Sequence, residues 1–104
     1  MQENLADNSS MPTLEKTPAG LDALNVAIER VGLGVLAERI GANYQLVQGW
    51  RSPTRRFATP VEWCAVIEQA TGVPRWELRP DVWWKVWPEL IGHPGAPAAP
   101  VQVE

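Results

Sequence analysis

Four side chains that could read the hydrogen-bonding edges of base pairs fall close together in this sequence: Tyr44, Gln45, Gln48 and Arg51. A helix advances about 100° per residue, so a helix over 44–51 gathers these four on one side and leaves Leu46, Val47 and Trp50 on the other. A glutamine amide offers a donor beside an acceptor, which matches N6 and N7 of adenine. An arginine fork matches O6 and N7 of guanine, and a tyrosine can bond a phosphate or pack on a thymine methyl. Asn43 precedes the first turn, where its oxygen can accept a free backbone N–H and the positive helix end suits a phosphate oxygen. Arg39, Arg55 and Arg56 flank the segment as candidate phosphate contacts. This is the chemistry of recognition, not of bond-making. Cys64 lies beside Val61 and Ile67 at helical spacing, where a small buried hydrophobe is expected, and His93 stands in a Gly/Pro/Ala-rich stretch. With no Gly-rich phosphate loop and no paired carboxylates, the sequence predicts a non-enzyme. One Cys and one His cannot supply a structural zinc site, so neither metal nor cofactor is expected.

The formal net charge is −3, the wrong sign for a chain that binds nucleic acid as a whole. Its distribution is more informative. Between Glu38 and Glu62 there is no acidic residue, whereas Arg39, Arg51, Arg55 and Arg56 all lie there. One basic face on an acidic protein follows from that arrangement; the competing reading is that the charges merely solvate a surface.

The elements that must position these groups read as follows. A chain of 104 residues supports one core. Residues 1–17 are polar and broken by Pro12, and 92–104 are rich in Pro, Ala and Gly, so both are expected to be disordered arms around a domain at 18–91. The fold class is all-α, a compact domain of four to five helices containing a helix-turn-helix. Thr17 and Pro18 read as N-cap and first position of helix one, with Leu21, Leu24, Ile28 and Val31 as its apolar stripe. Gly32 and Gly34 break it; Leu33, Leu36, Ala37 and Ile40 then share the inner face of helix two, ended by Gly41. Ala37 and Gly41 leave the room a steep helix crossing needs. Helix three spans 44–51 and stops at Ser52-Pro53. Thr59-Pro60-Val61-Glu62 reads as a full capping box for helix four, which ends at Gly72. Pro74 opens a short turn, and residues 81–91 could be helix or strand.

The order Leu36-Ala37-Glu38-Arg39-Ile40-Gly41-Ala42-Asn43-Tyr44-Gln45-Leu46-Val47-Gln48-Gly49-Trp50 resembles the Cro/CI superfamily of phage and bacterial repressors. The continuation from Pro60 to Trp83, with Cys64, Ile67-Glu68, Thr71-Gly72 and Leu78-Arg79-Pro80-Asp81-Val82-Trp83, resembles the YdaS-type group of Cro-like regulators, some described as antitoxins. The resemblance covers about Leu21 to Trp83. It implies operator binding by the third helix and repression of a nearby promoter in a prophage or toxin-linked locus. Gly49 stands where a polar residue is common and Tyr44 where glutamine is frequent, and the tryptophans beyond Asp81 lie outside the match.

Helix four is apolar nearly all round, which makes it either central to the core or a partner surface. Trp63, Val66, Trp83 and Trp87 are the candidate interface residues, since tryptophan is enriched at interface hot spots. A homodimer is expected because one short helix reads only a few base pairs. Double-stranded DNA is therefore the expected partner, with a protein-binding adaptor or antitoxin as the alternative. The polar start and the lack of a long apolar run predict a cytoplasmic protein with no membrane segment.

Overall fold

The computed structural model describes residues 17–100. Among the described residues six helices follow one another: α1 Leu21–Val31, α2 Leu33–Ile40, α3 Tyr44–Trp50, α4 Val61–Thr71, α5 Arg75–Leu78 and α6 Trp83–Val86, with a 3-10 turn at Pro88–Leu90. Among the described residues there is no strand; one isolated parallel bridge joins Ala19 to Phe57. The chain is helical, as its periodicity predicts.

The core forms where α1, α2, α3 and α4 meet. Leu24 and Ala27 of α1, Leu36, Ala37 and Ile40 of α2, Val47 and Trp50 of α3, and Cys64 and Ile67 of α4 are all buried. Leu21, Ile28, Val31 and Leu33 pack against this cluster, so the stripes read from α1 and α2 are the faces that go inward. α3 has only seven residues, too few to persist alone in water. Burial of Val47 and Trp50, at about 2 kcal/mol or more each, holds it. Asn43 adds a cap worth about 1 kcal/mol. The 41–43 turn between α2 and α3 is made by Gly41 at φ 81°, whose N–H reaches the carbonyl of Glu38.

Several boundaries differ from the sequence expectation. Thr17 and Pro18 do not start α1. Pro18 is buried, and Ala19 pairs with the loop after α3, its N–H donating to Arg56 O (3.0 Å) and its carbonyl accepting from Ala58 N–H (2.9 Å). The helix starts only after Gly20, which adopts φ 78° with no room for a side chain: a Cβ there would lie 1.9 Å from the Leu78 carbonyl oxygen. Gly34 does not break the chain but lies inside α2. The capping box at Thr59 does not form. α4 begins one residue later, after Pro60, and Thr59 is wholly buried with Oγ1 lacking a partner. The inward turn of Thr59 is fixed by Arg79, whose Nη1 donates to the Thr59 carbonyl (3.3 Å).

Residues 81–91, open between helix and strand, form α6 and the 3-10 turn. The stretch 92–100, expected to run free, returns to the domain: the His93 ring lies 5.8 Å from that of Trp76, and Ala96 N–H donates to His93 O (2.9 Å). Residues 1–16 and 101–104, the outer parts of the two expected arms, lie outside the described residues.

Candidate functional site

The outer face of α3 carries the groups singled out from the sequence. Tyr44, Gln45, Gln48 and Arg51 are all exposed, as are Arg39 on α2, Asn43 in the turn, and Arg56 in the following loop. Leu46 joins them, 41% exposed, and not the inward cluster where its register had placed it; Val47 and Trp50 alone fill that side. The helix therefore presents a wider outer face than expected, with an aliphatic side chain among the polar ones.

Three of these groups already have partners inside the chain. Asn43 Oδ1 accepts from Leu46 N–H at 2.7 Å. That oxygen caps the helix, so only the amide nitrogen remains to donate to a phosphate. Arg51 follows α3 directly and reaches back across the molecule: its Nε donates to Asn25 Oδ1 of α1 (3.2 Å) and its Nη1 to Gln48 Oε1 (3.3 Å). Asn25 was invisible to sequence reasoning, being 26 positions away with no local pattern to mark it.

Arg55 is half-buried, where a phosphate clamp should be exposed. Its Nε donates to the Phe57 carbonyl (2.9 Å) and its guanidinium lies 5.1 Å from the Phe57 ring centre. Arg79 also lies over that ring, at 4.1 Å, and grips both carboxylate oxygens of Asp81 (2.9 and 3.0 Å). Partial burial opposes the charge of Asp81, but the hydrogen bond and positive charge of Arg79 outweigh it and hold its carboxyl below the usual value. This cluster braces the 51–60 loop, so Arg55 is a support of that loop and Arg56 its outward cation.

The candidate interface tryptophans divide. Trp83 is 2% exposed and packs edge-on to Trp76 and Trp84, so it belongs to the interior of its own chain. Trp87 is half-buried under the Arg75 guanidinium (5.4 Å), which is itself paired with Glu68 at 2.7 Å. Trp63 is half-buried against Trp50, ring centres 5.6 Å apart. Val66 remains exposed. Cys64 is buried, and burial, partly opposed by nearby Arg79, pushes its thiol up to about 12.

A groove of about 650 Å³ lies between the start of α1, α5 and the 95–97 turn. Trp76 and Pro80 line it together with Asp22 and Glu77. Carboxylates there repel a polyanion. Among the described residues no cluster of His, Cys, Asp or Glu could hold a metal, and no helix is long and apolar enough to cross a membrane.

A family model described as bacterial toxin YdaS matches residues 24–87, more than half of the sequence. The chain belongs to the bacterial toxin YdaS family. The match runs from α1 to the residue after α6, and so takes in the tryptophan-rich stretch that the resemblance had left outside. The YdaS family places the chain among toxin–antitoxin-related or regulatory proteins. No curated protein and no solved structure matches it.

Proposed function

We propose that this chain is a sequence-specific DNA-binding regulator, a Cro-like repressor that lays α3 in the major groove as the second helix of a helix-turn-helix. The observation that carries this reading is the composition of the exposed α3 face: Tyr44, Gln45, Gln48 and Arg51, in a stretch with no acid between Glu38 and Glu62. Long donors and acceptors without a carboxylate are what a groove of base edges and phosphates requires. Arg39 and Arg56, both exposed, are the phosphate contacts at either end. A homodimer built on the exposed Val66 and half-buried Trp63 of α4 supplies two half-sites and so enough base pairs for specificity.

Selection of bound sequences from random duplex DNA tests the proposal. A palindromic consensus is expected, with log affinity falling against log salt at a slope of about −4 if a dimer neutralises about four phosphates through Arg39 and Arg56 of each copy. Absence of any enriched sequence refutes it. Sedimentation showing a monomer both free and on the selected palindrome refutes the dimer.

The family description favours a second reading, in which the chain acts on a protein as part of a toxin–antitoxin pair. A partner held through apolar contacts such as Val66 gives weak salt dependence. The same titration therefore separates the two.

A further inference from the structure

We propose that Asn25, on α1 and remote from the reading helix in sequence, is a positioning residue that sets Arg51 for end-on contact with guanine. The inference rests on the DNA-reading proposal above. Arg51 has five N–H groups. Nε is occupied by Asn25 Oδ1 and one hydrogen of Nη1 by Gln48 Oε1. Three remain, both on Nη2 and one on Nη1, and one from each of these nitrogens forms the end-on fork of the guanidinium. The side-on fork, which needs Nε, is already spent on Asn25. Two acceptors on two different helices thus hold a long side chain that follows α3 and would otherwise sweep through many rotamers.

The free fork matches the adjacent O6 and N7 acceptors of guanine. Gln48 is oriented by the same contact, with its oxygen turned toward Arg51. Asn25 is half-buried, whereas Arg51 is exposed, so the anchor is the more rigid partner of the pair. Ordering one such side chain before binding spares a cost equivalent to roughly three- to tenfold in affinity. That saving applies to the aligned guanine contact and not to phosphates, which a mobile arginine reaches equally well.

The test is selection from random duplex DNA with the full chain and three variants, Arg51→Met, Asn25→Ala and Asn25→Asp. Arg51→Met identifies the position at which guanine is read. Asn25→Ala is expected to lower the guanine preference at that same position by about three- to tenfold with the salt slope unchanged. Asn25→Asp keeps the acceptor and is expected to keep the preference, while its negative charge lowers affinity for all sequences. An unchanged preference in Asn25→Ala, or an equal loss on every sequence, overturns the positioning role while leaving the DNA-reading proposal intact. A wild-type chain that enriches nothing overturns both. In the free protein, the Arg51 Nε–H resonance should persist in wild type and Asn25→Asp and be lost to solvent exchange in Asn25→Ala. Equal protection in all three also overturns the role.

Discussion

Gly49 offers a substitution in which stability and function should move in opposite directions. It sits inside α3, exposed, and a Cβ built there meets nothing within 4 Å. The fold therefore has no steric need for glycine at this position. Replacing an exposed helical glycine by alanine is worth up to about 1 kcal/mol in helix propensity. The position is next to last in a seven-residue helix, where fraying trims the gain to about 0.5–1 kcal/mol. For a domain of this size that is a rise in Tm of about 3–6 °C. Gly49 also stands one turn after Gln45 and beside Gln48, at the margin of the proposed reading face. With α3 seated in a groove, an added methyl must be accommodated against DNA, and an overpacked contact costs about 1 kcal/mol or more, roughly fivefold in affinity. Gly49→Ala should thus melt higher and bind the selected sequence more weakly. Differential scanning calorimetry and a fluorescence anisotropy titration on the same preparation give both numbers. A lower Tm refutes the open-space argument. A higher Tm with undiminished affinity shows that this side of α3 does not face DNA.

Three further outcomes follow from the packing. Gly20→Ala and Gly41→Ala impose the same left-handed strain of about 1–2 kcal/mol, but only the first also drives a Cβ into the Leu78 carbonyl. Urea denaturation should find Gly20→Ala the more destabilised by at least about 2 kcal/mol, and equal losses would discount the close approach of α1 to α5. Asp81, its carboxyl held below the usual value of about 3.8, contributes stability that is present above that pH and fades as pH falls through the lowered value. Melting curves from pH 7 to pH 2 should therefore show a smaller acid-induced fall in Asp81→Asn than in wild type; identical slopes would mean that the Arg79 pair does not discriminate the folded state. Cys64, buried with its thiol pushed up to about 12, should react with iodoacetamide at pH 8 only at the rate of chain opening, so that denaturant accelerates labelling by orders of magnitude. Fast labelling of the native protein contradicts its burial.

The local code carried much of this fold. Leu24, Leu36, Ala37 and Ile40 are buried as their spacing requires, and Asn43 caps α3 as a short side-chain acceptor before a helix should. The two misread helix starts share one physical origin, contacts between residues far apart in sequence. Thr17-Pro18 has the form of a helix start, but pairing of Ala19 with the loop at 56–58 holds the chain extended there. Thr59 has the form of a cap, but Arg79, twenty positions on, takes its carbonyl and the side chain turns inward. Arg51 and Arg55 were legible as cations at and after the end of α3; that Asn25 and Phe57 hold them was not. Trp83 shows the limit of composition. A tryptophan serves an interface or a core equally well, and only the neighbouring Trp76 and Trp84 decide that it is core.

The short bridge between Ala19 and Phe57 makes the entry to α1 a mechanical strap on the loop that follows α3. Two hydrogen bonds tie them, one of them from Ala19 N–H to the carbonyl of Arg56 itself. Tension applied at residue 19 therefore reaches the backbone that carries Arg56 through two hydrogen bonds. Whatever grips the chain ahead of Ala19 also has a hand on the loop that follows α3.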